Sequence, residues 1–91
     1  MPDALPIPDD LIALQRALEA ARAELFEYSA QVTAEYPGQA LPEEQAARLN
    51  ALREGERQAG AAMRQHPTMR EALAGHCHHQ TDMALRAAAA G

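Results

Sequence analysis

The strongest constraint on this 91-residue sequence is a run of apolar residues that recurs in alternating steps of three and four. Such spacing is the heptad period of a helix that is buried along one line. Ile12 and Phe26 lie beside this line and widen it, which favours a helix of a bundle over one of a two-stranded coiled coil. We call the run the heptad seam, and its members are Leu11, Leu14, Leu18, Ala21, Leu25, Tyr28 and Val32.

Helix-breaking residues set the limits of the first predicted helix. Prolines at positions 2, 6 and 8 predict an extended or disordered leader over residues 1–8. The acidic pair Asp9-Asp10 suits the first turn of a helix, where carboxylates meet the positive end of the helix dipole. Because Tyr36-Pro37-Gly38 places two breakers together, the first helix is predicted over residues 9–35.

Two further helices are predicted in the rest of the chain. Pro42 is followed by two glutamates, which is typical of a helix start, and the second helix is predicted over residues 42–65. Pro67 should interrupt it. Thr68 and Glu71 have the spacing of a capping box, so the third helix is predicted over residues 69–88.

The predicted apolar faces of these later helices are smaller or more polar than the heptad seam. The second helix offers Leu49, Leu52, Ala59 and Met63, beside a strip of small residues made of Ala47, Ala51, Gly55 and Ala62. Gly55 and Gly60 each cost a helix interior about 1 kcal/mol relative to alanine, so they either permit close helix approach, which we expect, or mark a weak point of the helix. The third helix offers Met69, Leu73, His76, Gln80 and Met83.

These patterns predict an all-α fold. No segment alternates as a strand would, and the short connections favour antiparallel neighbours. The expected architecture is an antiparallel helical hairpin with a third helix packed on it, a small three-helix bundle that forms one domain over residues 9–91. Hydrophobic residues make up 47% of the chain but aromatic residues only 3%, so the core is thin and a second copy could complete it by dimerisation.

Charge and composition argue against several classes of function. The net charge is −5, which disfavours nucleic-acid binding, and the eight Lys/Arg positions are all arginine, which is typical of GC-rich bacterial genomes. No stretch approaches the ~18 apolar residues of a membrane span. A single cysteine cannot form an intrachain disulfide, so a cytoplasmic location is expected.

The first two predicted helices also differ in charge. Residues 9–35 carry six acidic residues and two arginines, whereas residues 43–65 carry four of each. Exposed ion pairs contribute about 0–1 kcal/mol each, so pairs between these helices would set their orientation more than their stability. An antiparallel hairpin could bring Glu24, Glu27 and Glu35 together with Arg53, Arg57 and Arg64. The alternatives are that these charged faces are simply solvated, or that the acidic face attracts a basic protein partner.

Four consecutive residues near the end of the sequence, His76-Cys77-His78-His79, suggest a transition-metal site. On a continuous helix, His76 and His79 would lie one turn apart on one face and could share Zn²⁺, Cu or Ni²⁺. Cys77 is a further candidate ligand, although it would point away from that pair. In the alternative interpretation, His76 and Cys77 face the bundle, His78 and His79 are solvated, and no metal is bound.

Two functional hypotheses follow from the sequence. The first is a non-enzymatic helical module for protein–protein interaction, whose heptad seam packs within the bundle and against a second copy or another helical protein. The alternative is a helical protein that binds Zn or Cu through His76, His79 and Cys77. Nothing in the sequence pairs Cys77 with an orienting base, so an enzyme is not expected. Neither nucleic acid nor a membrane is an expected partner.

Overall fold

In a computed structural model, residues 3–91 are described and form an all-α bundle of four helices, with no strand among them. The helices are α1 (Asp9–Glu35), α2 (Glu43–Gln65), α3 (Pro67–Ala74) and α4 (His78–Ala90). The predicted all-α fold class is confirmed, although four helices stand where three were expected.

The first two helices form the antiparallel hairpin. Leu18 of α1 lies beside Gly60 of α2, whereas Glu24 lies beside Arg48, so the chain runs back along itself. In the connection, Gly38 has a φ of +68°. Glycine adopts this left-handed conformation without the penalty of a side chain, and it therefore allows the sharp turn.

The third predicted helix is in fact two helices, because the chain leaves the helical path at Gly75 and returns to it after Cys77. His76 has a left-handed φ of 59°. The His76 N–H donates to the Leu73 carbonyl at 3.3 Å, and the Cys77 N–H donates to the Ala72 carbonyl at 2.9 Å. This pair of bonds is a Schellman motif, which ends a helix. The prediction of one continuous helix over residues 69–88 was therefore wrong.

The start of α3 also differs from its prediction. The Thr68 N–H donates to Nδ1 of His66 at 3.1 Å, so an imidazole caps the helix in place of the Thr68 hydroxyl. Pro67 takes the first helical position, where its missing N–H is not needed. The predicted capping box of Thr68 and Glu71 was wrong, because the helix begins earlier than that box requires.

The hydrophobic core lies at one end of the molecule, where all four helices meet. Its buried members are Leu11, Leu18, Met63, Met69 and Leu85. The segment before α1 joins them, since Ile7 packs against this cluster and the Leu5 N–H donates to Oγ1 of Thr81 at 3.1 Å. We call this region the closed end. Within the predicted leader, residues 3–8 thus lie extended against the bundle, whereas Met1 and Pro2 lie outside the described residues.

The faces that the helices bury agree with the sequence pattern in α1 and depart from it later. Every member of the heptad seam is buried or partly buried, but Phe26, which was expected to widen the seam, is 76% exposed. The strip of small residues in α2 is exposed, and a side chain at Gly55 would meet nothing within 4 Å. The prediction that another helix comes close to α2 at Gly55 was therefore wrong. Gly60, by contrast, is buried.

The predicted apolar face of the third helix does not exist as a continuous surface. Leu73 is 66% exposed and Met83 is 59% exposed, while His76 also faces solvent. The break before α4 changes the rotational register of everything that follows it. The residues that α4 buries are instead Thr81, Leu85 and Ala89.

Candidate interaction surface and arginine pocket

One half of the hairpin extends beyond the other two helices. The 27 residues of α1 span about 40 Å at 1.5 Å per residue, whereas the 13 residues of α4 span about 20 Å and the 8 of α3 about 12 Å. The molecule is accordingly elongated, with extents of 49 × 23 × 22 Å. The core cluster and its partly buried neighbours reach only residue 18 of α1 and residue 59 of α2. We call residues 21–52 the projecting hairpin.

The projecting hairpin has one apolar side that its two helices cannot bury completely. Val32 and Leu49 are buried, but Leu25, Tyr28 and Leu52 are only partly covered. Phe26, which lies beside this seam on α1, is the most exposed large hydrophobic side chain of the described residues. Two helices alone leave such a seam open along one side, which is why bundles usually add a third or fourth helix.

Arg48 covers part of this open seam. Its guanidinium lies 5.1 Å from the centre of the Tyr28 ring, and one of its nitrogens lies 3.6 Å from Glu24. The side chains of the Arg48–Glu24 pair are each more than half exposed, so the pair contributes little to stability. The two contacts of Arg48 join α2 to two residues of α1 that lie one turn apart, Glu24 and Tyr28.

The other charges predicted to pair between the two helices do not do so. Arg57 binds Glu54 of its own helix, and this hydrogen bond lowers the pKa of Glu54 to about 2. Arg53 forms no ion pair with any residue of 3–91. Of the expected acidic stripe only Glu24 meets an arginine of α2, and that arginine is Arg48. The two stripes therefore do not meet, and their six side chains are exposed, in agreement with the alternative of solvated charged faces.

The histidine cluster does not have the geometry on which the metal hypothesis was based. His76 lies in the left-handed turn between α3 and α4, so it does not share a helix face with His79. His76, His78 and His79 are all exposed. Within residues 3–91, no group of three or more His, Cys, Asp or Glu side chains is placed to hold a metal ion. A metal site using His76, His79 and Cys77 stays a prediction that needs ligands from beyond this arrangement, for example from a second copy.

Cys77 behaves as part of the core. Its side chain is 4% exposed, and the Thr81 hydroxyl lies 3.8 Å from its sulfur. Free cysteine is a small hydrophobic residue when buried in this way. The structure thus supports the interpretation that places Cys77 in the bundle, but His76 does not accompany it.

A pocket lined by residues of all four helices opens next to the closed end. Its volume is about 140 Å³, and its floor includes the apolar side chains of Leu18, Met63 and Met69. Arginines stand around it from three different helices, namely Arg22 of α1, Arg64 of α2 and Arg86 of α4. The remaining lining residues are Gln15, Gly60, His78 and Asp82. We call this cavity the arginine pocket.

The charges of the arginine pocket are only partly compensated. Nε of Arg86 donates to Asp82 at 3.1 Å, and Asp82 is the one carboxylate that lines the cavity. Arg22 and Arg64 make no hydrogen bond or ion pair to any residue of 3–91. Gln15 is 3% exposed, and its amide nitrogen donates to Glu19 at 3.3 Å.

Sequence reasoning missed this pocket because its members are far apart in the chain. Arg22, Arg64 and Arg86 come from three helices, and no spacing rule joins them. The nearest local signal was Gly60, whose cost in a helix interior called for an explanation. A side chain at that position would come within 3.2 Å of Nη1 of Arg64, so the glycine leaves room for the guanidinium.

Fold and surface together define the class of this protein: a small all-α bundle in which a compact four-helix end carries a longer two-helix hairpin. No helix of residues 3–91 is long and apolar enough to cross a membrane. The chain belongs to the family DUF8825, a domain of unknown function, whose sequence profile matches residues 10–88. No curated protein and no solved structure matches it.

Proposed function

We propose that this protein is a non-enzymatic helical interaction module that associates through the projecting hairpin. The observation that carries the proposal is the open apolar seam around Leu25, Tyr28 and Leu52, with Phe26 76% exposed beside it. Exposed aromatic side chains are enriched at protein interfaces, where each buries a large area at low cost in side-chain entropy. The shape supports it too, because a two-helix layer can be completed by a second two-helix layer.

The occupant to which we commit is a second copy of the chain, packed hairpin against hairpin as a four-helix bundle. The charges of the two helices favour one arrangement. Residues 9–35 have an excess of four acidic residues, whereas residues 43–65 are balanced. Within the projecting hairpin the α1 part, residues 21–35, carries three acidic residues and one arginine, whereas the α2 part, residues 43–52, carries two acidic residues and one arginine. Packing α1 against α2 of the other copy keeps the two more acidic segments apart, whereas α1 against α1 would bring them together.

The non-enzymatic part of the proposal is supported by the state of the one thiol. Nucleophilic catalysis requires a reachable thiolate, and Cys77 is buried in the core. The function proposed here depends on the apolar surface of the projecting hairpin and not on a reactive group.

Native mass spectrometry and sedimentation equilibrium test the proposal with a matched pair of variants. We expect the unmodified protein to form a dimer at micromolar concentration. Phe26→Asp should weaken dimerisation at least tenfold, because a charge would have to be buried at the interface. Leu73→Asp is the control, since Leu73 is comparably exposed but lies on α3, away from the projecting hairpin.

Two results would contradict the proposal. One is a strict monomer across the micromolar range for the unmodified protein. The other is an equal loss of dimer in Phe26→Asp and Leu73→Asp, which would mean that the contact does not lie on the hairpin. Circular dichroism of both variants should match the unmodified protein, because neither side chain belongs to the buried core.

A further inference from the structure

We infer that the arginine pocket is a binding site for a small oxyanion, that is, a free phosphate or the carboxylate groups of a short organic acid. The site lies within a single chain and does not depend on association through the projecting hairpin.

Charge is the first support for an anion site. Three guanidinium groups and one carboxylate line the cavity, so its formal charge is +2 with His78 neutral, in a chain whose net charge is −5. Asp82 is already engaged by Arg86, which leaves Arg22 and Arg64 for a ligand. Guanidinium groups match the paired oxygens of carboxylate and phosphate, and bonds to ionised acceptors are the strong ones.

The placement of Arg64 is the second support. Its Nη1 lies back over Gly60, 3.2 Å from the point that a Cβ would occupy, at the edge of the cavity. A Cβ at position 60 would require this guanidinium to shift by a few tenths of an ångström. The buried glycine therefore leaves room for the guanidinium of the arginine one turn further along, at the edge of the pocket.

The start of α4 adds a third contribution. His78, the first residue of this helix, lines the pocket, and no side chain caps the N-terminus. The positive end of the helix dipole favours a negative charge near a helix start.

Size limits the ligand. Pockets for drug-sized molecules have volumes of roughly 300–1,000 Å³, whereas this cavity has about 140 Å³. A phosphate ion or a short dicarboxylate fits this space, but a nucleotide does not. The apolar floor of Leu18, Met63 and Met69 suits the few carbon atoms of a short acid.

The test is a titration followed by amide NMR shifts, with inorganic phosphate in one arm and succinate in the other, at constant ionic strength. We expect saturable shifts at Gly60, His78 and Asp82 in at least one arm, and that arm identifies the chemical source. Arg22→Gln with Arg64→Gln should weaken binding at least about tenfold, because two charge-assisted bonds are lost.

The matched control is the double variant Arg53→Gln with Arg70→Gln. Both arginines are exposed, as Arg22 and Arg64 are, but neither lines the pocket, and the change in net charge is the same. It should change the affinity by less than about twofold, since screened surface charges act weakly at a distance. Equal weakening by the two double variants would overturn the inference, because it would show attraction to overall charge. Absence of saturable shifts in both arms would also overturn it.

A second pair of variants tests the role of the glycine. Gly60→Ala should displace Arg64 and weaken anion binding by roughly two- to fivefold, because the geometry of the guanidinium decides the bond. Gly55→Ala is the control, since an added methyl group there meets nothing within 4 Å. Tighter or unchanged binding in Gly60→Ala would show that Arg64 does not hold the ligand from this position.

Discussion

The closed end and the projecting hairpin are made from the same two long helices, but they bury their apolar seam to different degrees. At the closed end Leu11 and Leu85 are fully buried, and four helices contribute to one cluster. In the projecting hairpin, Leu25 and Leu52 belong to the same seam pattern and stay partly exposed. A heptad pattern therefore indicates which side of a helix is apolar, but the number of helices packed on that side decides how much is buried.

Because the two regions bury their apolar seam to different degrees, we expect the closed end to supply most of the stability and the projecting hairpin to supply the surface for recognition. Burial of apolar area is the main favourable term in folding, so the free energy of unfolding should depend mostly on the closed end. The partly covered seam of the projecting hairpin contributes less to folding and is available to another surface. Polar contacts reinforce the closed end as well, since Arg16 of α1 donates to the carbonyl oxygens of Ala89 and Gly91.

The largest expected difference between the two regions comes from truncating one leucine in each. Leu11→Ala should lower the free energy of unfolding by about 2–5 kcal/mol, because it leaves a cavity in a fully buried site. Leu25→Ala should cost less than about 2 kcal/mol, because the lost methyl groups were partly in water. Urea unfolding at a concentration below that of dimerisation measures both.

Raising the protein concentration sharpens the same comparison. If the hairpin dimerises, Leu25→Ala should become more destabilising as concentration rises, whereas the cost of Leu11→Ala should change little, because dimer formation adds to the apparent stability. Leu73→Ala is the control and should stay within about 0.5 kcal/mol of the unmodified protein, because Leu73 is 66% exposed. Equal costs for Leu11 and Leu25 would remove the distinction between the two regions.

The sequence predicted the first helix and its buried side because the physical signals there are local. Leu11, Leu18 and Val32 repeat at the helix period, and a proline-glycine pair ends the helix. Phe26 was assigned to the wrong environment for a reason that is not local. Its burial would require a third helix beside that part of α1, and α4 is too short to reach along the whole of it.

The later part of the chain was harder to predict because weak signals competed there. The predicted third helix ran through Gly75 without a break, but the chain turns at the next residue, His76, which takes the left-handed conformation. That turn changed the face of α4 and separated His76 from His79. The arginine pocket could not be predicted at all, since its residues meet only through the packing of four helices.

A smaller effect is expected at His66, which joins two helix starts within the closed end. Its Nδ1 accepts the Thr68 N–H, so the proton of the neutral ring lies on Nε2, which lies 2.9 Å from Oδ2 of Asp10. His66→Ala should cost about 1 kcal/mol through loss of the α3 cap, as measured by urea unfolding. His66→Asn should recover most of that loss, because asparagine caps helices well. An equal cost in both variants would mean that the cap contributes nothing.

The smallest expected effect comes from Asp10 and concerns how the free energy of unfolding depends on pH in the acidic range. The hydrogen bond from His66 lowers the pKa of Asp10 below its ordinary value of 3.8. A lowered pKa in the folded state contributes stability that is fully present above the unfolded value and is lost as the pH falls through the folded value. The unmodified protein should therefore lose this contribution below about pH 4.

Asp10→Asn removes the titrating group, so its stability should fall less steeply over the same acidic range, as followed by urea unfolding at several pH values. The size of the change is small because Asp10 is exposed, but its coupling to His66 distinguishes a specific bond from general charge. In a His66→Ala background, Asp10→Asn should no longer alter how steeply the free energy of unfolding falls at acidic pH. If Asp10→Asn alters this pH dependence equally with and without His66, the His66–Asp10 contact does not stabilise the closed end. The closed end then differs from the projecting hairpin through its apolar packing and not through this contact.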